Sequence, residues 1–205
     1  MTKKTKRICV LAIFCVLPLS MIGCQKLRFI FGQAEEKFKG REATIQTYDE
    51  DGNVIDRVHG KSISISTEDK FDKKNEEGQT ISKSSVLSLT VGGNSMTHVG
   101  SSLIVFEDGL KDLKEEFDAT VDIQNNQHSL PFINRIYNNI KNSITGDSKI
   151  VLIRSQSGKP LATFVGKSVS YFPTSIDKTT GIVIDGKYLF IYKCDYTIID
   201  TDMLN

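Results

Sequence analysis

The chain predicts a β-rich α+β fold in which two similar antiparallel β-hairpin repeats pack on one mid-chain helix. Three observations carry this expectation. Ser62-Ile63-Ser64-Ile65-Ser66 alternates strictly, and Leu87, Leu89 and Val91 alternate with Ser88 and Thr90, the period of strands with one buried face. Turn signals separate the apolar runs: Asp51-Gly52-Asn53, Gly92-Gly93-Asn94, Ser157-Gly158-Lys159 and Asp185-Gly186-Lys187. Finally, Phe132, Ile133, Ile136, Tyr137, Ile140 and Ile144 fall at helical spacing.

The hairpins lie in two sets. Ile45 to Ser64 aligns with Val151 to Ser170 at an offset of 106, matching Gly52 to Gly158 and Gly60-Lys61-Ser62 to Gly166-Lys167-Ser168. A second hairpin, Leu89 to Phe106 around Gly93, matches Ile182 to Ile199 around Gly186 at an offset of 93. The first set therefore carries 13 extra residues, which the polar stretch Thr67 to Ser84 accommodates. The expected organisation is a β repeat over 43–106, a helical linker over 107–148 and a β repeat over 149–205. Ser129 can cap the linker's main helix, Pro131 suits its first turn and Gly146 can end it. Leu110 to Phe117 reads as a shorter, more polar helix. The runs Ile150 to Ile153, Ile182 to Ile184 and Tyr188 to Tyr192 are apolar without alternation, as in strands covered on both faces. Barrel-like closure of the sheet is left open.

Composition bounds function before any motif does. The 205 residues hold 26 Lys+Arg against 25 Asp+Glu, with 11 Phe and 6 Tyr. That is long enough for a self-sufficient core and too apolar for a disordered chain. The balanced charge argues against nucleic acid as a partner.

The front of the chain reads as an address. Residues 1–7 carry four positive charges and no acid, and Ile8 to Ser20 is almost wholly apolar. This is the n-region and h-region of a signal peptide, too short to span a bilayer comfortably. Met21-Ile22-Gly23-Cys24 follows and resembles the bacterial lipoprotein box. The resemblance implies cleavage of 1–23 between Gly23 and Cys24, diacylation (palmitate-type chains) on Cys24, and a lipidated tether over 24–41 before a single domain, 42–205. Cleavage leaves 182 residues with 22 basic and 25 acidic side chains. Cys9 and Cys15 depart with the leader, so Cys194 stands alone and the exported body has no internal disulfide.

Motifs that suggest chemistry fail on spacing. Gly60-Lys61-Ser62 and Gly166-Lys167-Ser168 lack the glycine five residues earlier that a P-loop needs, where Ile55 and Leu161 stand. Asp49-Glu50-Asp51-Gly52-Asn53 opens like a calcium loop, but Val58 occupies the closing position. Ser175-Ile176-Asp177-Lys178 lacks the companion elements of penicillin-binding enzymes. Ser95 and His98 lie three apart in a strand and so point to opposite faces. His59, His98 and His128 show no zinc spacing. No catalytic residue, metal ligand or cofactor site is therefore assigned.

Several stretches together resemble an uncharacterised family of small Gram-positive lipoproteins, known as a domain of unknown function. They are Gly23-Cys24-Gln25, Thr47-Tyr48-Asp49 with His59-Gly60, Ser84-Ser85-Val86-Leu87, Phe106-Glu107-Asp108-Gly109-Leu110, Ser155-Gln156-Ser157-Gly158, and Ile184-Asp185-Gly186-Lys187 with Tyr196-Thr197-Ile198-Ile199-Asp200. The resemblance implies a lipoprotein anchored at the outer face of the membrane and supplies no activity. Tyr48-Asp49-Glu50-Asp51-Gly52-Asn53-Val54 with Gly60-Lys61 is also similar to tubby-type domains, barrels of two similar halves around a helix; their helix lies near the C-terminus rather than mid-chain. The expected function is a non-enzymatic binding or interaction domain for a protein or cell-envelope ligand. An extracytoplasmic hydrolase assembled from dispersed residues and a lipid-handling barrel are the alternatives.

Overall fold

A computed structural model describes residues 38–115 and 147–204, with residues 138 and 141 between them; all lie in the compact unit Gln33–Asn205. The expected 129–145 helix falls outside the described residues apart from those two. Of the shorter helix, Leu113 to Glu115 are helical and Phe117 is not described.

Fourteen strands are described. The first set is β1 (Glu42–Tyr48), β2 (Val54–Lys61), β3 (Ile63–Thr67), the short hairpin β4 (Lys73–Lys74) and β5 (Thr80–Ser82), then β6 (Leu87–Val91), β7 (Asn94–His98) and β8 (Ser102–Glu107). The second is β9 (Lys149–Arg154), β10 (Pro160–Gly166), β11 (Val169–Pro173), β12 (Thr179–Ile184), β13 (Lys187–Tyr192) and β14 (Asp195–Asp200). A six-stranded sheet has the order β11-β12-β13-β8-β1-β2, beside two three-stranded sheets, β3-β6-β7 and β10-β9-β14.

Alternation of side chains builds three layers. From the six-stranded sheet, Ala43, Ile45, Leu103, Val105, Phe190 and Tyr192 enter a core with Ile63, Ile65, Leu87 and Leu89 of the β3-β6-β7 sheet. From its opposite face, Ile104, Phe106, Ile182, Ile184, Leu189 and Ile191 enter a second core with Val151, Ile153 and Phe164 of the β10-β9-β14 sheet. Strands β8 and β13 thus serve both cores. All six β8 residues are buried, and so are the last four of β13, which is why neither strand alternates in sequence. Phe38, assigned to the tether from sequence, is buried in the first core, and the Arg41 carbonyl accepts the Ser62 N–H at 2.9 Å.

Pairings recur at constant offsets. Ile45 faces Val58 in the first hairpin and Val151 faces Phe164 in the second; Tyr48 faces Val54 and Arg154 faces Pro160 after equivalent bulges. Tyr48 opposite Ser102 matches Arg154 opposite Asp195, and Leu87 opposite Thr67 matches Thr180 opposite Pro173. The two-residue turns match as well, with φ of 56° and 88° at Gly92-Gly93 and 49° and 81° at Asp185-Gly186. Positive φ at both positions sets the twist that a tight hairpin needs. The β4–β5 hairpin and a preceding 3-10 turn (Asp69–Phe71) occupy the stretch expected to hold the extra residues.

The sheets do not close into a barrel, an answer to the question of closure that the sequence left open. The missing joint is β7 to β14. Their sheets pack on opposite faces of the six-stranded sheet, so the two edges cannot meet.

Candidate functional site

The end of β8 and the segment after it carry several polar contacts between the two sets of strands. Glu107 is buried, pairs with Arg41 at 2.7 Å and accepts the Tyr188 N–H at 3.0 Å. Asp108 meets His59 Nε2 at 3.0 Å, and its carbonyl accepts from Lys187 Nζ at 2.7 Å. Asp112 Oδ1 accepts the N–H of Thr163 and that of Lys114, each at 2.9 Å. The first bond caps the outer edge of β10, where a strand would otherwise leave an amide unpaired. Burial pushes the Asp112 carboxyl up to about 6, against the lowering effect of those two amide bonds.

A second cluster lies on β1 and β2. With the Gln46 amide turned so that its nitrogen donates to Tyr48 Oη at 2.5 Å, its oxygen accepts from Arg57 Nη2 at 2.7 Å and Nε at 3.0 Å. Arg57 Nη2 also lies 2.7 Å from Glu115 Oε1. Tyr48 is fully buried, and burial, with smaller effects from Asp112, Cys194 and Glu115, raises its phenol far above the ordinary range. Thr163 Oγ1 is buried with no hydrogen-bond partner among the described residues. Leu110, Lys111, Leu113, Phe164, Ile184 and Lys187 wall a half-open cavity of about 270 Å³.

The residues singled out in the sequence are not brought together. His98 is buried, its Nε2 lies 2.9 Å from the Ser101 carbonyl oxygen, and its ring meets Tyr192 edge-on at 5.9 Å, while Ser95 is exposed on the same strand. His59 is exposed with Asp108, and His128 falls outside the described residues. The Cys194 thiol donates to the Tyr192 carbonyl at 3.2 Å, and burial pushes it up to about 12, an unreactive setting. Asp49 is held below its ordinary range chiefly by the Asn53 side-chain amide at 2.9 Å, and its other oxygen accepts the Asn53 N–H at 2.8 Å. The acidic run is a hairpin turn. Ser175 to Lys178 form the β11–β12 connection, tied down where the Lys178 carbonyl accepts the Lys193 N–H at 2.9 Å. No cluster of three potential metal ligands occurs among the described residues.

The two Gly-Lys-Ser motifs mark corners where a strand passes from one sheet to the next. A Cβ on Gly60 would lie 2.3 Å from Val91 Cγ1, and one on Gly166 would lie 2.4 Å from Ile184 Cγ2. Close approach, rather than a phosphate, accounts for both glycines. Sequence reading missed Gln46, Tyr48, Arg57 and Asp112. Gln46 and Arg57 sit at polar positions of alternating strands, which look the same whether they face water or another layer.

A family described as a domain of unknown function (DUF5052) matches residues 4–204. The chain belongs to this family. Neither the curated proteins nor the solved structures provide a match. Membership agrees with the inferred likeness to a domain of unknown function and assigns no activity to the polar segment or the cavity.

Proposed function

We propose that this member of the family is a lipoprotein of a Gram-positive cell surface. Its body is a non-enzymatic interaction module tethered to the outer face of the membrane. The leader over 1–23, a lipidated tether from Cys24 that ends before Phe38, and a single β-rich domain make up this reading. Its support is the order of a basic start, a short apolar run and Met21-Ile22-Gly23-Cys24. Two acyl chains on Cys24 anchor stably where one is marginal, since burial contributes ~0.8 kcal/mol per CH₂.

One observation carries the non-enzymatic half: the perturbed or buried ionisable groups are bound up in structure. Asp112 holds two backbone amides, Glu107 holds Arg41 and the Tyr188 amide, and Asp49 closes its own turn. A general acid or base must instead present its free atom to a substrate. The shared offsets and registers further support two copies of one six-strand unit, the second hairpin set repeating the first.

Replacing the anchor residue, Cys24→Ala, tests the tether. The variant should lose labelling by a radioactive or clickable fatty acid and appear in the medium or as uncleaved precursor. Unchanged labelling and membrane retention would refute the anchor.

A further inference from the structure

The joint between the two six-strand units is lopsided, and its free ends match. Strand β8 closes the first unit and pairs with β13, the fifth strand of the second, placing Leu189 opposite Phe106, Phe190 opposite Val105, Ile191 opposite Ile104 and Tyr192 opposite Leu103. The equivalents of these partners are β14 and β7. At offsets of 93, the same register sets Met96 opposite Ile199, Thr97 opposite Ile198, His98 opposite Thr197 and Val99 opposite Tyr196. Among described strands, β7 pairs only with β6, and β14 only with β9. A joint of this kind, made by two different edges, is head-to-tail, and a head-to-tail joint leaves one complementary edge at each end.

We propose that a second copy of this chain fills those edges, β14 of one copy adding to β7 of the next in the register of the β8–β13 joint. Among the described residues neither edge is guarded. Exposed edges are ordinarily blunted by lysine, proline or a covering contact. Here β10 begins at Pro160 and is capped by Asp112, β11 ends at Pro173, and β2 carries Asp56, Arg57, His59 and Lys61. Strand β7 (Asn94-Ser95-Met96-Thr97-His98) has no proline or lysine, and β14 has acids only at its two ends. Val99, the equivalent of fully buried Tyr192, is 61% exposed at the end of β7.

The new joint would be weaker than the internal one. Thr97 and Val99 stand where Phe190 and Tyr192 stand, and Thr197 and Ile199 stand where Ile104 and Phe106 stand. Each substitution removes apolar area, so association is reversible and draws on the high local concentration of a membrane-tethered protein. In that respect the proposal rests on the interaction-module reading above. The Cys24→Ala labelling test is independent of it, so the two can fail separately.

The experiment co-expresses two full-length, differently tagged chains, Thr97→Cys and Ile198→Cys, and treats the membranes with a mild oxidant. Directly opposed strand residues lie within disulfide reach. A mixed-tag disulfide dimer should form from the pair and be lost when either variant is expressed alone. Adding Val99→Asp to the Thr97→Cys chain should also abolish it, with the melting temperature unchanged because that side chain is exposed. No mixed dimer would overturn the proposal, as would equal dimers from either variant alone or a dimer indifferent to Val99→Asp. A Thr97→Cys/Ile198→Cys chain that closes an internal disulfide would overturn it too, since the edges would then meet within one molecule.

Discussion

Strands β2 and β10 occupy the same place in their hairpins and pair in the same register, yet one is exposed and the other buried. In β2 every residue is exposed or half-exposed; in β10 five of seven are buried. Both lie at sheet edges. What differs is cover. The segment after β8 runs beside β10, caps the Thr163 amide with Asp112 and packs Leu110 into the second core. Across β2, among the described residues, the same segment makes surface polar contacts, from Asp108 to His59 and from Glu115 to Arg57. A shared strand plan therefore fixes hydrogen-bond partners while the connections decide what is buried, and burial governs what a substitution costs.

The largest test of that contrast is truncation at the matched positions Val58 and Phe164. Phe164 is buried and meets Phe106 with tilted rings 5.5 Å apart, whereas Val58 is half-buried. Phe164→Ala should cost about 3–5 kcal/mol and Val58→Ala about 1 kcal/mol in urea unfolding. Equal losses would mean that β2 is covered as deeply as β10.

The corner glycines give a finer test. Gly166→Ala drives its Cβ against Ile184, itself fully buried, and to 2.9 Å from Asp185 Oδ2. Gly60→Ala meets only Val91, which is half-buried and has room to turn. Overpacking should cost about 2–3 kcal/mol at Gly166 and about 1 kcal/mol at Gly60, read as shifts of the urea midpoint. A Gly60→Ala variant that is the more damaged of the two would break the expected order.

Asp112 gives the smallest effect and the one with a sign. Its carboxyl is raised from 3.8 to about 6 in the folded state, mainly by burial, so the folded chain binds that proton more tightly than the unfolded chain. The proton's stabilisation is fully present below 3.8 and is lost as pH rises through about 6. Between pH 7 and pH 5 the native protein should therefore gain about 1 kcal/mol relative to Asp112→Asn, whose side-chain carbonyl still accepts the Thr163 amide. Parallel pH profiles for the two proteins would show that this carboxyl is not desolvated.

Much of the strand plan was legible because period and turn chemistry are local. The alternation from Ser62 to Ser66, the Gly92-Gly93 and Asp185-Gly186 turns and the matched offsets are written in neighbouring residues. The unbroken apolar run Tyr188 to Tyr192 announced its double burial. The polar cluster was not legible. Gln46, Arg57 and Glu115 are scattered along the chain, and only folding brings the three together. Cys194 reads as an ordinary thiol in sequence, and only the half-buried setting that folding gives it raises its thiol.

By itself the sequence determined the β-rich class, the turns between strands and the likeness to a domain of unknown function, since each depends on residues close in the chain or on composition. Only the tertiary structure decided that β8 joins β13 while β7 and β14 stay apart, and that the sheets stack in three layers instead of closing. Strand partners distant in sequence are chosen by which faces bury together, and that choice is made by surfaces that exist only once the strands are stacked.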